Sequence, residues 1–194
     1  MTDQLPDFLH EPVDSVAKRL LGCVFERELD SGVARVRIVE TESYDQDDEA
    51  SHAYGGERIR NAVMFGEPGH LYVYFTYGMH YCCNVVTGKK GYGSGVLIRA
   101  VEPLDGVDLL EQRRGLTGTN LTNGPAKLAQ ALGIDLAMNG HDLRSPPLRL
   151  ITGSLRADET VAMSPRIGIS KAVDIHRRYY IAGNPYVTRH KHGY

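Results

Sequence analysis

Glu40, Glu42 and Tyr44 close a strand-like run in which alternation would carry them onto a core-facing side. In Val33-Ala34-Arg35-Val36-Arg37-Ile38, a period of two sends Ala34, Val36 and Ile38 inward and leaves Arg35 and Arg37 facing water. The same parity places Glu40, Glu42 and Tyr44 on the inner side. A carboxylate there must be paired, hydrogen-bonded or functional, because burying it alone is costly. If Glu42 lines a cleft, it has the chemistry of a general base that activates water. Alternation alone leaves a second reading open, in which the strand ends or bulges near Val39 and the acids are exposed.

A second cluster is aromatic: Leu71-Tyr72-Val73-Tyr74-Phe75-Thr76-Tyr77-Gly78-Met79-His80-Tyr81. Alternation puts Tyr72 and Tyr74 on one face and Tyr77 at the bend, where no core calls for a large ring. Flat rings stack on nucleobases, and a wedge on a hairpin tip can fill the gap left by an unstacked nucleotide. Packing within a sheet is the commoner use of strand tyrosines. Lys127 supplies a third feature: it falls in the first turn of a helix opened by Asn123-Gly124-Pro125, where the helix dipole favours anions. A phosphate docked on the free N–H groups would explain a cation there, and a solvated lysine would explain it equally. His80, Cys82 and Cys83 amount to half a zinc site at most. Without a second cluster they read as small apolar residues of a buried strand.

These side chains need a scaffold that brings them together. The chain has 194 residues, 42% of them hydrophobic, which suits one domain with a substantial core. Patterning predicts strands over residues 23–28, 33–44, 71–76, 79–86, 95–101, 148–152, around 166–169 and over 179–182. It predicts a short helix capped by Asp14 or Ser15 and closed by Gly22, a helix over 105–114, and a helix from Pro125 to Gly133. Strands mostly follow one another without long helices between them, so the sheet is expected to be largely antiparallel. The expected fold is α+β: residues 1–194 as a single domain with a curved, mostly antiparallel sheet, flanking helices and a protruding tyrosine-bearing hairpin.

No apolar run is long enough for a transmembrane helix, and the acidic N-terminus does not read as a secretory signal. Three cysteines do not form a disulfide framework, which fits a reduced compartment. The net charge of −2 counts against a nucleic-acid binder, yet it is unevenly spread. Residues 1–50 hold 5 Lys/Arg against 13 Asp/Glu, whereas residues 161–194 hold 6 against one. A basic C-terminal face could therefore still meet phosphates.

Taken together, several ordered stretches resemble the alkyladenine (3-methyladenine) DNA glycosylase family in its compact bacterial form. They are Arg37-Ile38-Val39-Glu40-Thr41-Glu42-Ser43-Tyr44, Asp48-Glu49-Ala50-Ser51-His52, Arg60-Asn61 with Met64-Phe65, and Pro68-Gly69-His70-Leu71-Tyr72-Val73-Tyr74. Tyr77-Gly78-Met79, Asn84, Val96-Leu97-Ile98-Arg99-Ala100, Glu102-Pro103, Gly124-Pro125-Ala126-Lys127-Leu128 and Arg166-Ile167-Gly168 continue the series. The resemblance implies a monofunctional glycosylase that flips an alkylated or deaminated purine out of duplex DNA and hydrolyses its N-glycosidic bond. By that resemblance Glu42 is the catalytic, water-activating acid, with Arg99 beside it. Tyr44, His52 and Tyr74 hold the extruded purine, and Asn84 discriminates against the 2-amino group of guanine. Tyr77, with Met79 next to it, enters the stack, Lys127 contacts the backbone, and Cys82 and Leu97 support the pocket.

The implied partner is double-stranded DNA containing a damaged purine. No membrane, obligate protein partner, metal or cofactor is implied; a monomer in the bacterial cytoplasm, on the nucleoid, is the default. No lysine falls among the matched pocket positions, so water is the implied nucleophile. The loop at residues 45–51 is one residue shorter than in the vertebrate form and is acidic, which is unexpected beside a polyanion. Two other readings stay open: a catalytically silent binder of damaged DNA on the same fold, and a small-molecule N-glycosidase.

Overall fold

A computed structural model describes residues 5–76 and 78–189. Its framework is one curled sheet in which every strand pair is antiparallel. The strands are β1 (Val24–Leu29), β2 (Gly32–Tyr44), β3 (Leu71–Thr76), β4 (His80–Val86), β5 (Gly95–Asp105), β6 (Leu148–Ile151), β7 (Val161–Ser164) and β8 (Arg178–Ile181). The main path runs β3-β4-β5-β2-β1-β6, while β8 joins the far half of β2 and carries β7 outside it. The α+β class and the antiparallel, curved sheet expected from the sequence are those observed. β3 and β4 pair antiparallel, but Tyr77, on which the expectation of a tyrosine-bearing hairpin rests, lies outside the described residues.

β2 is the hinge of this design. Its first half pairs with β1 through residues 32–37, and its second half pairs with β8 through residues 40–42. Along β5 the register slips on both sides of Glu40. A bulge of this kind bends a strand and re-aims the side chains beyond it. The consequence is visible in the core, where the consecutive residues Ile38 and Val39 are both buried among the apolar cluster. Thr41 and Ser43 then face α1 (Val13–Arg19), bonding to the Ala17 carbonyl and to Asp14. Glu40, Glu42 and Tyr44 turn to the opposite side. The simple parity argument therefore needs correcting: a bulge at Val39 does exist, yet it moves the acids into a second buried layer and not into water.

Arg37 also departs from expectation. It is 4% exposed, and its guanidinium is paired with Glu102 and Glu159, so it does not face solvent. α1 starts at Val13 with Pro12 at its N-cap, two and three positions ahead of the expected caps Asp14 and Ser15, and Asp14 is drawn off to Ser43. The strand expected around residues 166–169 is absent. Pro165 and Gly168, the latter at φ +78°, leave that stretch as a loop following β7. α2 (Val107–Arg114) begins later than expected because β5 runs on to Asp105. Gly106 makes that junction at φ +64°, and a Cβ there would sit 2.5 Å from the Val33 carbonyl oxygen.

α3 (Pro125–Leu132) has the expected Pro at its start and Gly133 at its end, and it packs on β4 and β5. The main core lies between the sheet and these helices, and a smaller cluster of Ala53, Met64, Phe65, Tyr72 and Val86 supports the 49–65 segment. Cys82 and Cys83 are buried in β4 as free thiols, as the strand reading expected. Among the described residues, no helix is long and apolar enough to cross a membrane.

Candidate active site

A cleft of about 460 Å³ opens where the second half of β2 meets β3, β4 and β5. Volumes of this order suit a single nucleobase or a small drug-sized ligand. Seven of the residues singled out in the sequence line it: Tyr44, His52, Tyr74, Cys82, Asn84, Leu97 and Arg99. The register of β3, β4 and β5 brings four of them together, while Tyr44 comes from the end of β2 and His52 from the loop after it. Tyr74 is paired with Cys82, Tyr72 with Asn84, and Asn84 in turn with Leu97.

The aromatic wall is ordered by mutual contacts. His52 meets Tyr74 edge-on with centroids 4.6 Å apart, and Tyr72 stacks against Tyr74 at 5.8 Å. The His52 Nδ1 lies 3.1 Å from the Tyr72 hydroxyl, which fixes the ring and leaves Nε2 for a ligand. Burial lowers the His52 pKa, and the nearby Arg60 charge acts in the same direction. Its neutral imidazole can therefore offer a hydrogen bond without a charge at pH 7. Asn84 sits at the base of the cleft, with its amide nitrogen 3.3 Å from the Tyr72 carbonyl.

Glu42 lies directly behind this wall. It is fully buried and does not itself line the cleft. Its carboxylate is held from three sides: by the Tyr44 hydroxyl at 2.8 Å, by Arg99 Nη1 at 3.2 Å, and by the Ile167 N–H at 2.8 Å. A carboxylate fixed by three donors, one of them the phenol of a cleft-lining ring, is pre-positioned. Burial raises the Tyr44 pKa, and the neighbouring Glu42 charge raises it further, so the phenol remains a donor. Burial likewise raises Tyr74 and Cys82.

Other expected residues lie outside the cleft. Met79 is 68% exposed just before β4, and Lys127 points back to Asn123 and Asn120 at distances of 2.7 and 3.2 Å. Only Pro125 of that helix touches the cleft. Tyr77, the expected wedge, falls outside the described residues.

A model of the methylpurine-DNA glycosylase family matches residues 7–185. The chain belongs to that family. It is a hydrolase of N-glycosyl bonds that acts on DNA. A relative from Carboxydothermus hydrogenoformans, named provisionally as a 3-methyladenine DNA glycosylase, is 51% identical over 176 residues, covering 90% of this chain and 92% of its own. Relatives of the same name from Chlorobaculum tepidum and Streptomyces avermitilis are 45% and 43% identical, covering 96% and 95% of this chain and 91% and 90% of their own.

The glycosylase cleft also contains residues that the sequence did not single out. Ile167, Gly168, Ser170 and Lys171 form one wall from the loop after β7. Ile167 and Gly168 fall in the matched stretch Arg166-Ile167-Gly168, where a strand is expected, and Ser170 and Lys171 lie beyond it with no signal of their own. Lys171 is an exposed lysine on the cleft lining, although none was expected among the matched pocket positions. Two of the four acids of the acidic loop are committed internally, while Asp47 and Glu49 are exposed and Glu49 lines the cleft. Asp48 is buried against Arg166 and Arg177, and Asp45 accepts from the Tyr92 hydroxyl at 2.5 Å. The expected basic C-terminal face is reduced for the same reason, since Arg166 and Arg178 are each 5% exposed and spent on internal carboxylates.

Proposed function

We propose that this enzyme flips an alkylated or deaminated purine into the cleft and releases it by a monofunctional, water-driven hydrolysis that initiates base excision repair. The observation that carries this reading is Glu42, triply held behind an aromatic slot of Tyr44, His52 and Tyr74. Glu42 orients a water and takes its proton as the oxygen attacks C1′. The C1′–N9 bond breaks and its electron pair leaves with the purine. Arg99, on the cleft side of Glu42, keeps the carboxylate in place.

Purines alkylated at N3 or N7 are cationic, so they leave as neutral bases and gain cation–π attraction from Tyr44 and Tyr74. Hypoxanthine and ethenoadenine lack that charge and draw on cleft shape and a hydrogen bond from His52. Asn84 at the base of the cleft meets the 2-position of the purine, where guanine carries its amino group. Cys82 and Leu97 shape the wall. Flipping costs a few kcal/mol and is cheapest for a weakly paired base, which supplies part of the selectivity. Tyr77 and Met79 stand in for the extruded nucleotide, and Lys127 meets the backbone. The enzyme works as a single-domain monomer on duplex DNA without metal or cofactor.

The test is single-turnover base release from duplexes bearing hypoxanthine, ethenoadenine or methylated purines, in EDTA, with Glu42→Gln beside the wild type. The expected result is release by the wild type alone, leaving abasic sites that break only after alkali. Normal release by the variant would remove Glu42 from its role. Strand breakage without alkali would replace water by an amine nucleophile, for which Lys171 is placed.

A further inference from the structure

Glu40 is a second buried carboxylate behind the cleft, two residues from Glu42, and it is fully inaccessible to solvent. Isolated, it would be costly to bury. It is instead closely surrounded: its Oε1 accepts from Arg99 Nε at 2.9 Å and from Arg178 Nε at 2.7 Å, and its Oε2 from the Thr188 N–H at 2.6 Å. Arg99 is therefore shared. One edge of its guanidinium is fixed by Glu40, and Nη1 reaches Glu42 at 3.2 Å. Arg178 is held in turn by the Ser164 hydroxyl and the Thr188 carbonyl, which tie β7 and the segment after β8 to the same cluster.

We propose that Glu40 is a positioning residue for the hydrolysis, acting on Glu42 through Arg99. The inference rests on the reading of Glu42 as the water-activating acid. Glu40 is fully buried and does not itself line the cleft, which it meets only through Arg99. Its effect runs through two properties of Arg99. The first is geometric: a guanidinium held at Nε cannot swing away from Glu42, whereas one held only at Nη1 can pivot. The second is electrostatic. Glu40 and Glu42 carry two negative charges against Arg99 and Arg178, so the cluster is neutral as built. Without Glu40, one surplus positive charge is left beside Glu42, favouring its ionised form and weakening it as a base.

The other groups facing Glu42 are the phenols of Tyr44 on β2 and Tyr74 on β3, the Cys82 thiol on β4 and the Ile167 N–H from the loop after β7. None of these carries a formal charge, so the balance around Glu42 is set by Glu40 and its two arginines. Arg166, nearby across the Tyr44 ring, is matched by its own carboxylate, Asp48.

The experiment compares wild type, Glu40→Gln, Arg178→Gln and the Glu40→Gln/Arg178→Gln double variant in single-turnover excision of hypoxanthine across pH, with duplex affinity measured separately. Glu40→Gln is expected to lower the maximal rate on the order of 10- to 100-fold, the cost of a small misplacement of a reacting group. The acid limb of its profile moves down by about one pH unit, and duplex affinity is unchanged. Arg178→Gln removes a cation and moves the acid limb the other way. The double variant, neutral again, returns it towards the wild-type position.

A role confined to stability would lower the thermal midpoint of all three variants and leave the acid limb fixed in the folded fraction; that result overturns the proposal. If Glu40→Gln does not fold, Arg178→Gln and the neutral double variant carry the same test through their acid limbs. Full activity of Glu42→Gln would instead refute the reading of Glu42 itself. An inactive Glu42→Gln beside an unaltered Glu40→Gln profile refutes only the role of Glu40.

Discussion

The guanidinium of Arg166 lies over the ring of Tyr44, with its central carbon 4.7 Å from the ring centroid, and is gripped by the buried carboxylate of Asp48. The same arginine donates to the Ser43 carbonyl at 3.0 Å. One face of Tyr44 is thus fixed by protein, and its other face is left to the cleft it lines. The contact also ties the short acidic loop, through Asp48, to the wall that contains Ile167.

The Asp48–Arg166 pair should be costly to break from one side only. Asp48→Asn leaves a buried guanidinium without its counter-charge, and the expected destabilisation is about 3–5 kcal/mol. The Asp48→Asn/Arg166→Gln double variant removes both charges and should be closer to wild type. Urea unfolding of the wild type, Asp48→Asn, Arg166→Gln and the double variant checks this, and additive losses would show that the pair is not coupled.

The same pair predicts a pH dependence of stability. Burial would raise the Asp48 pKa, but the hydrogen bonds from Arg166, the Ala50 N–H and Arg177 outweigh it and hold the carboxyl below its usual range. As pH falls, the unfolded chain therefore takes up this proton before the folded one. The contribution of Asp48 is complete above about pH 4 and is lost as pH falls through its lower folded-state value. The wild-type thermal midpoint should drop more steeply below pH 4 than that of Asp48→Asn. Parallel curves would mean that other carboxylates dominate acid unfolding.

His52 carries a linkage of the same sign in a higher pH window. Burial and the Arg60 charge lower its pKa, so the unfolded state binds this proton more readily and stability falls as pH drops below about 6.5. Arg60→Gln should raise the His52 titration midpoint by roughly a few tenths of a unit, since an exposed charge acts largely through water. NMR titration of the His52 ring reads this directly. A downward shift would contradict the sign.

Alternation within a strand is local and made part of this site legible, whereas Cys82, Asn84 and Leu97 were marked only by the family resemblance. Tyr74, Cys82, Asn84 and Leu97 are brought together by pairings across β3, β4 and β5, and alternation anticipated the shared face of Tyr72 and Tyr74. The acids were harder to place. Whether Glu42 is buried depends on a bulge at Val39, and a bulge is set by which neighbour pairs with each half of β2. Arg37 looked solvent-facing because its partners Glu102 and Glu159 are 65 and 122 residues away. The loop holding Ile167 and Lys171 has no periodicity to read. Its place is fixed by Arg166 reaching back to Asp48.

Lys127 offers a test of phosphate contact. Its ammonium is held by Asn123 and Asn120 at the start of α3, beside the cleft-lining Pro125. If it neutralises one phosphate, Lys127→Gln should weaken duplex binding similarly for all lesions and reduce the magnitude of the salt slope by about one. Fluorescence anisotropy over a series of salt concentrations measures both quantities. Weaker binding with an unchanged slope would make Lys127 a clamp for the loop before α3.

Met79 separates a role in opening the duplex from a role in the fold. It is 68% exposed beside the bend between β3 and β4, close to Phe75 at 50%. So much exposed apolar surface at a hairpin end has little packing to lose, and Met79→Ala should change stability by no more than about 0.5 kcal/mol. An apolar side chain pushed between base steps helps to meet the cost of unstacking, a cost that exists only in the duplex. Met79→Ala should therefore slow single-turnover excision from a duplex while leaving excision of the same lesion from a single strand nearly unchanged. Equal losses on both substrates would place Met79 in the chemistry or in the cleft wall, and no loss on either would leave the opening of the duplex to other residues of the hairpin.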